Sequence, residues 1–228
     1  TTPFMVMAGI ALDEPKYVDY GIEQCFKMYD LFEDPQNHLL HQARGFMADV
    51  NAISEDHWSR GNGWGIIGLA DILQYLPRTD ARWEEAACRM RRHCEALRQY
   101  QTAHGLWRQS IACELAWEES SGTGLIAYSM GVALRMGVLD GATYFPVFQK
   151  AVQGLADWCL NADFSTERSC RGCLCPGVGA EKGTLKAYLC DVYAYRNEPH
   201  SFGPIMLAMI EAHKNGIREI AWKEKMFA

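Results

Sequence analysis

The feature that most constrains this chain is a pair of segments that occurs three times. Each pair joins a charge-poor segment through a short turn to an amphipathic segment. The turn aspartates Asp13, Asp80 and Asp140 are separated by 67 and 60 residues, a spacing that is typical of a repeated helical hairpin. A last charge-poor segment, 202–212, begins a fourth pair.

The two members of each pair predict helices with different surroundings. Between residues 80 and 100, Trp83, Met90 and Cys94 share one helical face and the charged residues lie off it. The preceding segment, 63–76, carries Asp71 as its single charge, so we expect that helix to be buried on most sides. Alternating buried and half-buried helices predict an all-α toroid of helical hairpins. The alternative, an open solenoid of helix pairs, would place charges on its concave face.

Three long connections join each outer helix to the next inner one, over residues 33–56, 103–118 and 161–199. All three must lie at one rim of the ring, because the other turns are short. Loops longer than about 12 to 15 residues are usually functional or disordered. These contain Trp, Tyr, His and Cys, so we expect the functional site at this rim.

Composition excludes several classes of function. The formal net charge is -6 without a basic run, so we expect no nucleic-acid partner. No apolar run reaches the roughly 20 residues of a membrane span.

The nine cysteines fall mostly within helical apolar patterns and predict reduced thiols and a cytoplasmic protein. The run Cys170-x-x-Cys173-x-Cys175 lacks an evident fourth ligand, so neither a metal site nor a cofactor is predicted.

The segment Trp58-Ser59-Arg60-Gly61-Asn62-Gly63-Trp64 begins one inner helix. Its glycines let a ligand approach the backbone, Arg60 offers a planar fork for a carboxylate, and Trp58 and Trp64 offer faces on which a sugar can stack. We therefore predict binding of an acidic sugar by Trp58, Arg60, Asn62 and Trp64. A core position for Trp64 and a structural ion pair for Arg60 are the alternatives.

Four further residues complete the predicted binding site. Glu119 and Ser121 begin the next inner helix, where helix capping is favoured over contact with a ligand. His41 and His200 lie in the first and third long loops. For both histidines a solvated or structural role is the alternative to binding.

Several motifs, spread over nearly the whole chain, resemble the unsaturated rhamnogalacturonyl hydrolases, relatives of the unsaturated glucuronyl hydrolases. The matching elements are Phe4-Met5, the loop that ends at His41, the Trp58–Trp64 segment, Glu119-Ser120-Ser121-Gly122-Thr123, Cys175-Pro176-Gly177 and Pro199-His200-Ser201-Phe202-Gly203-Pro204.

The resemblance implies an (α/α)6 toroid and a substrate. Members of the family remove an unsaturated uronic acid from the non-reducing end of pectin-derived oligosaccharides. One carboxylic acid protonates C4 of the vinyl ether, water adds at C5, and the hemiketal collapses. By resemblance Arg60 would bind the uronate, His41 would hydrogen-bond the sugar, and Trp58 and Trp64 would form the pocket walls.

This chain departs from the family pattern where the catalytic aspartate is expected. Thr1 stands at that position, before Phe4-Met5, so no catalytic residue is predicted, and Asp56 and Glu119 are the nearest other carboxylates to the motifs. We expect a single all-α domain over 1–228 that lacks the N-terminal hairpins of the family. The chain could be part of an active hydrolase, a sugar-binding paralogue without turnover, or a helical-repeat scaffold. The sequence does not indicate an oligomeric state.

Overall fold

The computed structural model describes residues 2–172 and 175–221. The expectations for Thr1 and Cys173 therefore lie outside the described residues. The described part contains eight α-helices and four two-residue strands: α1 (Thr2–Ala11), α2 (Pro15–Phe32), α3 (Ser59–Tyr75), α4 (Ala81–Gln99), β1 (Trp107–Arg108), β2 (Glu118–Glu119), α5 (Ser120–Arg135), α6 (Gly141–Trp158), β3 (Ser169–Cys170), α7 (Leu185–Asp191), β4 (Ala194–Tyr195) and α8 (Pro199–Lys214). None of the helices in these two ranges combines the length and the apolar character needed to cross a membrane.

The long helices form two layers. In the inner layer α1 packs on α3, α3 on α5 and α5 on α8, while α2, α4 and α6 each pack on the inner helix that precedes them. Helices α2 and α6 also contact the inner helix that follows. The predicted all-helical fold of stacked hairpins is confirmed, whereas the predicted lack of N-terminal hairpins stays a prediction.

Burial follows the charge pattern in the middle of the inner layer, whereas the two end helices of that layer, α1 and α8, expose apolar side chains such as Phe4 and Met206. Thirteen of the sixteen residues of the inner helix α5 are buried. The outer helix α4 instead buries one face, which includes Trp83, Met90, Cys94 and Leu97. Apolar burial at roughly 25 cal/mol per Å² is the main force that holds such layers together.

Two of the three turn aspartates begin the helix that follows them. The Asp80 carboxylate accepts the backbone N–H of Arg82, and the Asp140 carboxylate accepts that of Thr143. Asp13 instead adopts a left-handed φ of 54° within its turn, and no side-chain cap precedes α2. The repeat is therefore regular in spacing but not in capping.

The long loops are held by short backbone pairings. Strand β1 pairs antiparallel with β2, and β3 pairs antiparallel with β4. A bridge between Trp58 and Ser110 joins the first loop to the second. The third loop also contains the short helix α7, capped by the Thr184 side chain, which the sequence analysis did not predict.

A buried chain of hydrogen bonds links α2, α4 and α3. The Asn62 amide oxygen faces Nε2 of His93 at 3.0 Å, and Nδ1 of His93 lies 2.8 Å from the Tyr29 hydroxyl. Since the amide oxygen can only accept, Nε2 carries the proton and Nδ1 accepts from Tyr29. Burial lowers the pKa of His93 to about 3, so this histidine is neutral in the folded protein.

Helices α3 and α5 pack closely at Gly122, and we expect Gly122→Ala to destabilise the fold. A Cβ there would lie 2.5 Å from the backbone carbonyl carbon of Ser59, which cannot move without shifting α3. Overpacking of this kind costs about 1 to 3 kcal/mol. Thermal or urea unfolding of the variant would measure the loss.

The matched control is Gly203→Ala in α8, where an added Cβ meets nothing within 4 Å. Alanine is favoured over glycine within a helix by roughly 0.5 to 1 kcal/mol, so this variant should be as stable as the parent or more so. Equal stability of the two variants would contradict the close packing of α3 on α5.

The buried neutral His93 should make the free energy of unfolding depend on pH. Between the ordinary pKa of 6.5 and the folded value of about 3, the unfolded state takes up a proton that the folded state does not. Stability is therefore lost as the pH falls below about 6.5, by up to roughly 1.4 kcal/mol per pH unit. Urea unfolding at several pH values should show a shallower slope for His93→Gln, whereas His213→Gln, at an exposed position of α8, should keep the slope of the parent.

Candidate active site

A cavity of about 400 Å³ lies between α2, the first long loop and the beginning of α3. Three of the predicted site residues, His41, Trp58 and Trp64, line it together. The rest of its lining is formed by Gln24, Cys25, Met28, Phe32, Leu40, Gln42, Gly61 and Gly65. The cavity thus lies at the rim where the long loops meet the inner helices, which is where the sequence analysis expects a functional site.

The two tryptophans differ in their surroundings. Trp64 is 49% exposed, which excludes the alternative of a core position. Trp58 is buried at the base of α3, and its indole N–H donates to Sγ of Cys170 at 3.2 Å. Trp64 can therefore reach a ligand with a free face, whereas Trp58 is fixed in place by the third loop.

Arg60 is fully buried among protein groups. Its guanidinium lies 4.6 Å from the centre of the Trp58 ring, donates to the Ser121 hydroxyl at 3.3 Å and to the Gly172 carbonyl, and forms an ion pair with Glu198 at 3.5 Å. These contacts agree with the alternative that the sequence analysis gives for Arg60, a structural ion pair. A direct contact between Arg60 and a uronate stays a prediction.

Glu119 is also fully buried and has a capping role. Its carboxylate accepts five hydrogen bonds: from N–H and O–H of Ser121, from N–H of Gly122 and Cys170, and from O–H of Ser59. The structure shows the favoured capping role for Glu119, whereas the Ser121 hydroxyl donates to Glu119 and accepts from Arg60. Contact of either side chain with a ligand stays a prediction.

Asn62 and His200 lie in different environments. The buried Asn62 amide accepts the N–H of Leu40 at 2.7 Å and donates to the carbonyls of Leu40 and Trp58, so it holds the first loop against α3. His200 is nearly half exposed, and its Nδ1 lies 2.9 Å from Glu198. Neither side chain lines the cavity, and binding by each stays a prediction.

The sequence analysis missed a cluster beside His41. Nε2 of His57 lies 3.1 Å from Oδ2 of Asp34, and Nε2 of His41 lies 3.8 Å from the same oxygen. These three side chains offer ligand atoms within 4.8 Å of one another, a separation that suits a metal ion. The sequence analysis predicted no metal site here. His57 directly precedes the Trp58–Trp64 segment, and its position beside that segment could have indicated a functional role.

The charges of this cluster follow from its partial burial. Burial lowers the pKa of His57, and His41 lowers it further, against the opposing effect of Asp34. Burial alone would raise the pKa of Asp34, but hydrogen bonds from Gln36 and His57 hold it below its usual value. The cluster therefore combines an ionised carboxylate with a histidine that resists protonation.

Asp56 lies behind the cavity and does not line it. It is fully buried, and its Oδ2 accepts the backbone N–H of Trp58 at 2.8 Å. Burial raises its pKa, although hydrogen bonds from Ser54, Trp58 and Tyr188 oppose the shift. A raised pKa suits a general acid, but this carboxyl group has no path to a ligand in the cavity as the structure stands.

Comparison with curated sequences identifies similar proteins that differ in length: some are much longer than this chain, and others are about as long. An unsaturated 3S-rhamnoglycuronyl hydrolase of Alteromonas sp. (strain LOR) is 28% identical over 140 residues, which cover 60% of this chain and 34% of the relative. Protein Atu3128 of Agrobacterium fabrum is 24% identical over 226 residues, which cover 92% of this chain and 97% of that protein. The chain thus spans about a third of the first relative and nearly all of the second.

Solved structures support the two-layered helical fold. A family 105 glycoside hydrolase from C. acetobutylicum superimposes with a TM-score of 0.81 at 22% identity, over 93% of this chain and 62% of the other. An unsaturated glucuronyl hydrolase from Bacillus sp. GL1 gives a TM-score of 0.65 at 15% identity, over 91% and 55%. The predicted toroid fold of the family is confirmed by these neighbours.

The family assignment rests on a match along almost the entire chain. The sequence model described as Glycosyl Hydrolase Family 88 matches residues 1–216. That range includes the cavity and each residue predicted to bind sugar. This chain therefore belongs to Glycosyl Hydrolase Family 88.

Proposed function

We propose that the chain forms the substrate pocket of a glycoside hydrolase that removes an unsaturated uronic acid from the non-reducing end of short, pectin-derived oligosaccharides. The observation that carries the proposal is the cavity that brings His41, Trp58 and Trp64 together at the start of α3. Family membership supports the reaction class. The name of the Alteromonas relative, an unsaturated 3S-rhamnoglycuronyl hydrolase, supports an unsaturated uronyl group as the sugar that is removed.

The lining of the cavity suits one sugar ring with polar groups at its edge. The exposed indole of Trp64 offers a flat face for sugar C–H groups, and Met28, Phe32 and Leu40 add apolar walls. Gln24, His41 and Gln42 supply hydrogen-bonding groups that fix the orientation of a ligand. Such a mixture of one aromatic face with a few polar groups is typical of a small-ligand pocket.

Hydration of the vinyl ether requires one acid that protonates C4 and then activates water. Resemblance places this acid at Thr1, which lies outside the described residues, and a threonine hydroxyl does not supply a proton at neutral pH. Asp56 and Glu119 are both enclosed by protein. We therefore assign binding to the cavity and propose that the family's position for the acid, where Thr1 stands in this sequence, carries no catalytic carboxyl group here.

A cytoplasmic location is part of the same proposal. All eight cysteines within the described ranges are free thiols, which agrees with a reducing compartment. An enzyme in the cytoplasm would act on oligosaccharides that are short enough to be imported into the cell.

Replacing Trp64 should weaken sugar binding without changing the fold. We expect Trp64→Ala to raise the Kd for an unsaturated uronyl disaccharide roughly 5- to 30-fold, since the loss of an aromatic face is worth about 1 to 2 kcal/mol. Isothermal titration calorimetry measures this change. The control is Tyr75→Ala, a similarly exposed aromatic residue at the other end of α3, about 16 Å away. Equal affinities of the two variants would exclude this cavity as the sugar site.

Turnover tests the position of the acid. The C4–C5 double bond of an unsaturated uronate absorbs in the ultraviolet, so hydration can be followed as a loss of absorbance. We expect the 228-residue chain to bind the disaccharide without turnover and Thr1→Asp to gain turnover, because the variant supplies the missing carboxyl group.

Turnover by the unchanged chain would move the acid to another group. Asp56→Asn would then test the buried carboxyl whose pKa is raised. Binding without turnover in both chains would instead support the sugar-binding paralogue.

A further inference from the structure

Asp34, His41 and His57 come together where the first long loop leaves α2 and returns to α3. Their side chains are between 11% and 15% exposed. The ligand atoms lie within 4.8 Å of one another, with Oδ2 of Asp34 placed 3.1 Å from Nε2 of His57 and 3.8 Å from Nε2 of His41. Loop residues separated by up to 23 positions in sequence thus converge on one point.

We propose that Asp34, His41 and His57 bind one divalent transition-metal ion of the Zn²⁺ class at the edge of the cavity. Two imidazole nitrogens and one carboxylate oxygen are a common donor set for such ions. Ligands at about 2.0 Å from a tetrahedral ion are about 3.3 Å from each other. The Asp34 and His57 atoms already have nearly this spacing, whereas Nε2 of His41, at 3.8 Å from the same oxygen, would have to move about 0.5 Å closer to it.

The surrounding groups fix the orientation of two of the three ligands, His41 and Asp34. Nδ1 of His41 donates to the backbone carbonyl of Asp56 at 3.1 Å, which leaves the lone pair of Nε2 directed away from that carbonyl. Oδ1 of Asp34 accepts the N–H of Gln36 at 2.9 Å, and Oδ2 accepts the side-chain amide of Asn37 at 3.1 Å. Metal ligands are characteristically oriented by hydrogen bonds of this kind.

Charge also favours a cation at this point. Within the described ranges, the ion-pair partners of Asp34 are the two histidines, with neither lysine nor arginine at that distance. The His41 and His57 rings lie side by side, with centres 4.7 Å apart and planes inclined by 36°. A divalent cation between the two rings and the Asp34 carboxylate would therefore meet nitrogen ligands on one side and a negative charge on the other.

The position of His41 gives the site an open side. His41 lines the cavity, whereas Asp34 and His57 do not, so an ion held by all three would be reached from the cavity. Three protein ligands leave a fourth position for water or for an oxygen of a bound molecule, as in zinc sites with an open coordination position. The inference does not depend on the identity of the sugar substrate.

Metal binding by the purified chain tests the proposal without any sugar. After treatment with a chelator and its removal, calorimetric titration with ZnCl₂ should show one ion per chain. We expect Asp34→Asn and His57→Gln each to weaken binding at least tenfold, because each removes one ligand and nearly keeps the side-chain volume. Co²⁺ should give the visible spectrum of a site with nitrogen and oxygen ligands.

Two control variants test whether a different histidine or a cysteine thiol binds the metal ion. His104→Gln removes an exposed histidine that also faces a carboxylate, that of Glu118 at 3.0 Å, and Cys175→Ser removes a thiol of the Cys-rich loop. Both should bind Zn²⁺ as tightly as the parent. ZnCl₂ should also raise the Tm of the parent and of these controls, but not that of Asp34→Asn or His57→Gln.

Three results would overturn the proposal. These are binding of less than one Zn²⁺ per chain by the parent, equal affinity in Asp34→Asn and His57→Gln, and a thiolate-type Co²⁺ spectrum that disappears in Cys175→Ser. Circular dichroism of each variant shows whether it is folded. A failure of metal binding with normal sugar binding would leave the proposed function intact, and the reverse result would leave the metal site intact.

Discussion

The buried carboxylate of Glu119 fixes the geometry of the whole rim. Removing an ionised carboxylate from water is costly unless hydrogen bonds replace its hydration. Here Ser59 from α3, Ser121 and Gly122 from α5 and Cys170 from β3 supply those hydrogen bonds. Three elements that are distant in sequence must therefore keep their relative positions for the charge to stay buried.

Arg60 extends this hydrogen-bond network to α8, the fourth inner helix. It extends from the first turn of α3 to Ser121 at the start of α5 and to Glu198, the residue that caps α8. Arg60 forms its ion pair with Glu198 and reaches Glu119 through the Ser121 hydroxyl, so the inner helices α3, α5 and α8 begin at a common point. Trp58 packs against the Arg60 guanidinium and also lines the cavity. The position of Arg60 therefore helps to fix one wall of the cavity.

The sequence predicted the helices and their layers but only part of the site. Charge periodicity distinguished inner from outer helices, because a helix such as α5 that is buried all round cannot carry many charges. The Trp58–Trp64 motif located the beginning of α3 and one wall of the cavity. The neighbours of His41 could not be predicted, since the approach of Asp34 and His57 depends on the path of a loop. Helix α7 was missed because its seven residues are too few to show a helical period.

The order of the layers explains why binding and chemistry should meet at this rim. Helix α3 begins at the rim, where the first long loop returns from the end of α2, and a short turn joins the beginning of α2 to the end of α1. Helix α1 therefore begins on the same side as α3, and the two helices pack together. The beginning of α1 and the cavity lined by Trp58, Trp64 and His41 are thus brought to one side of the fold by helix topology alone.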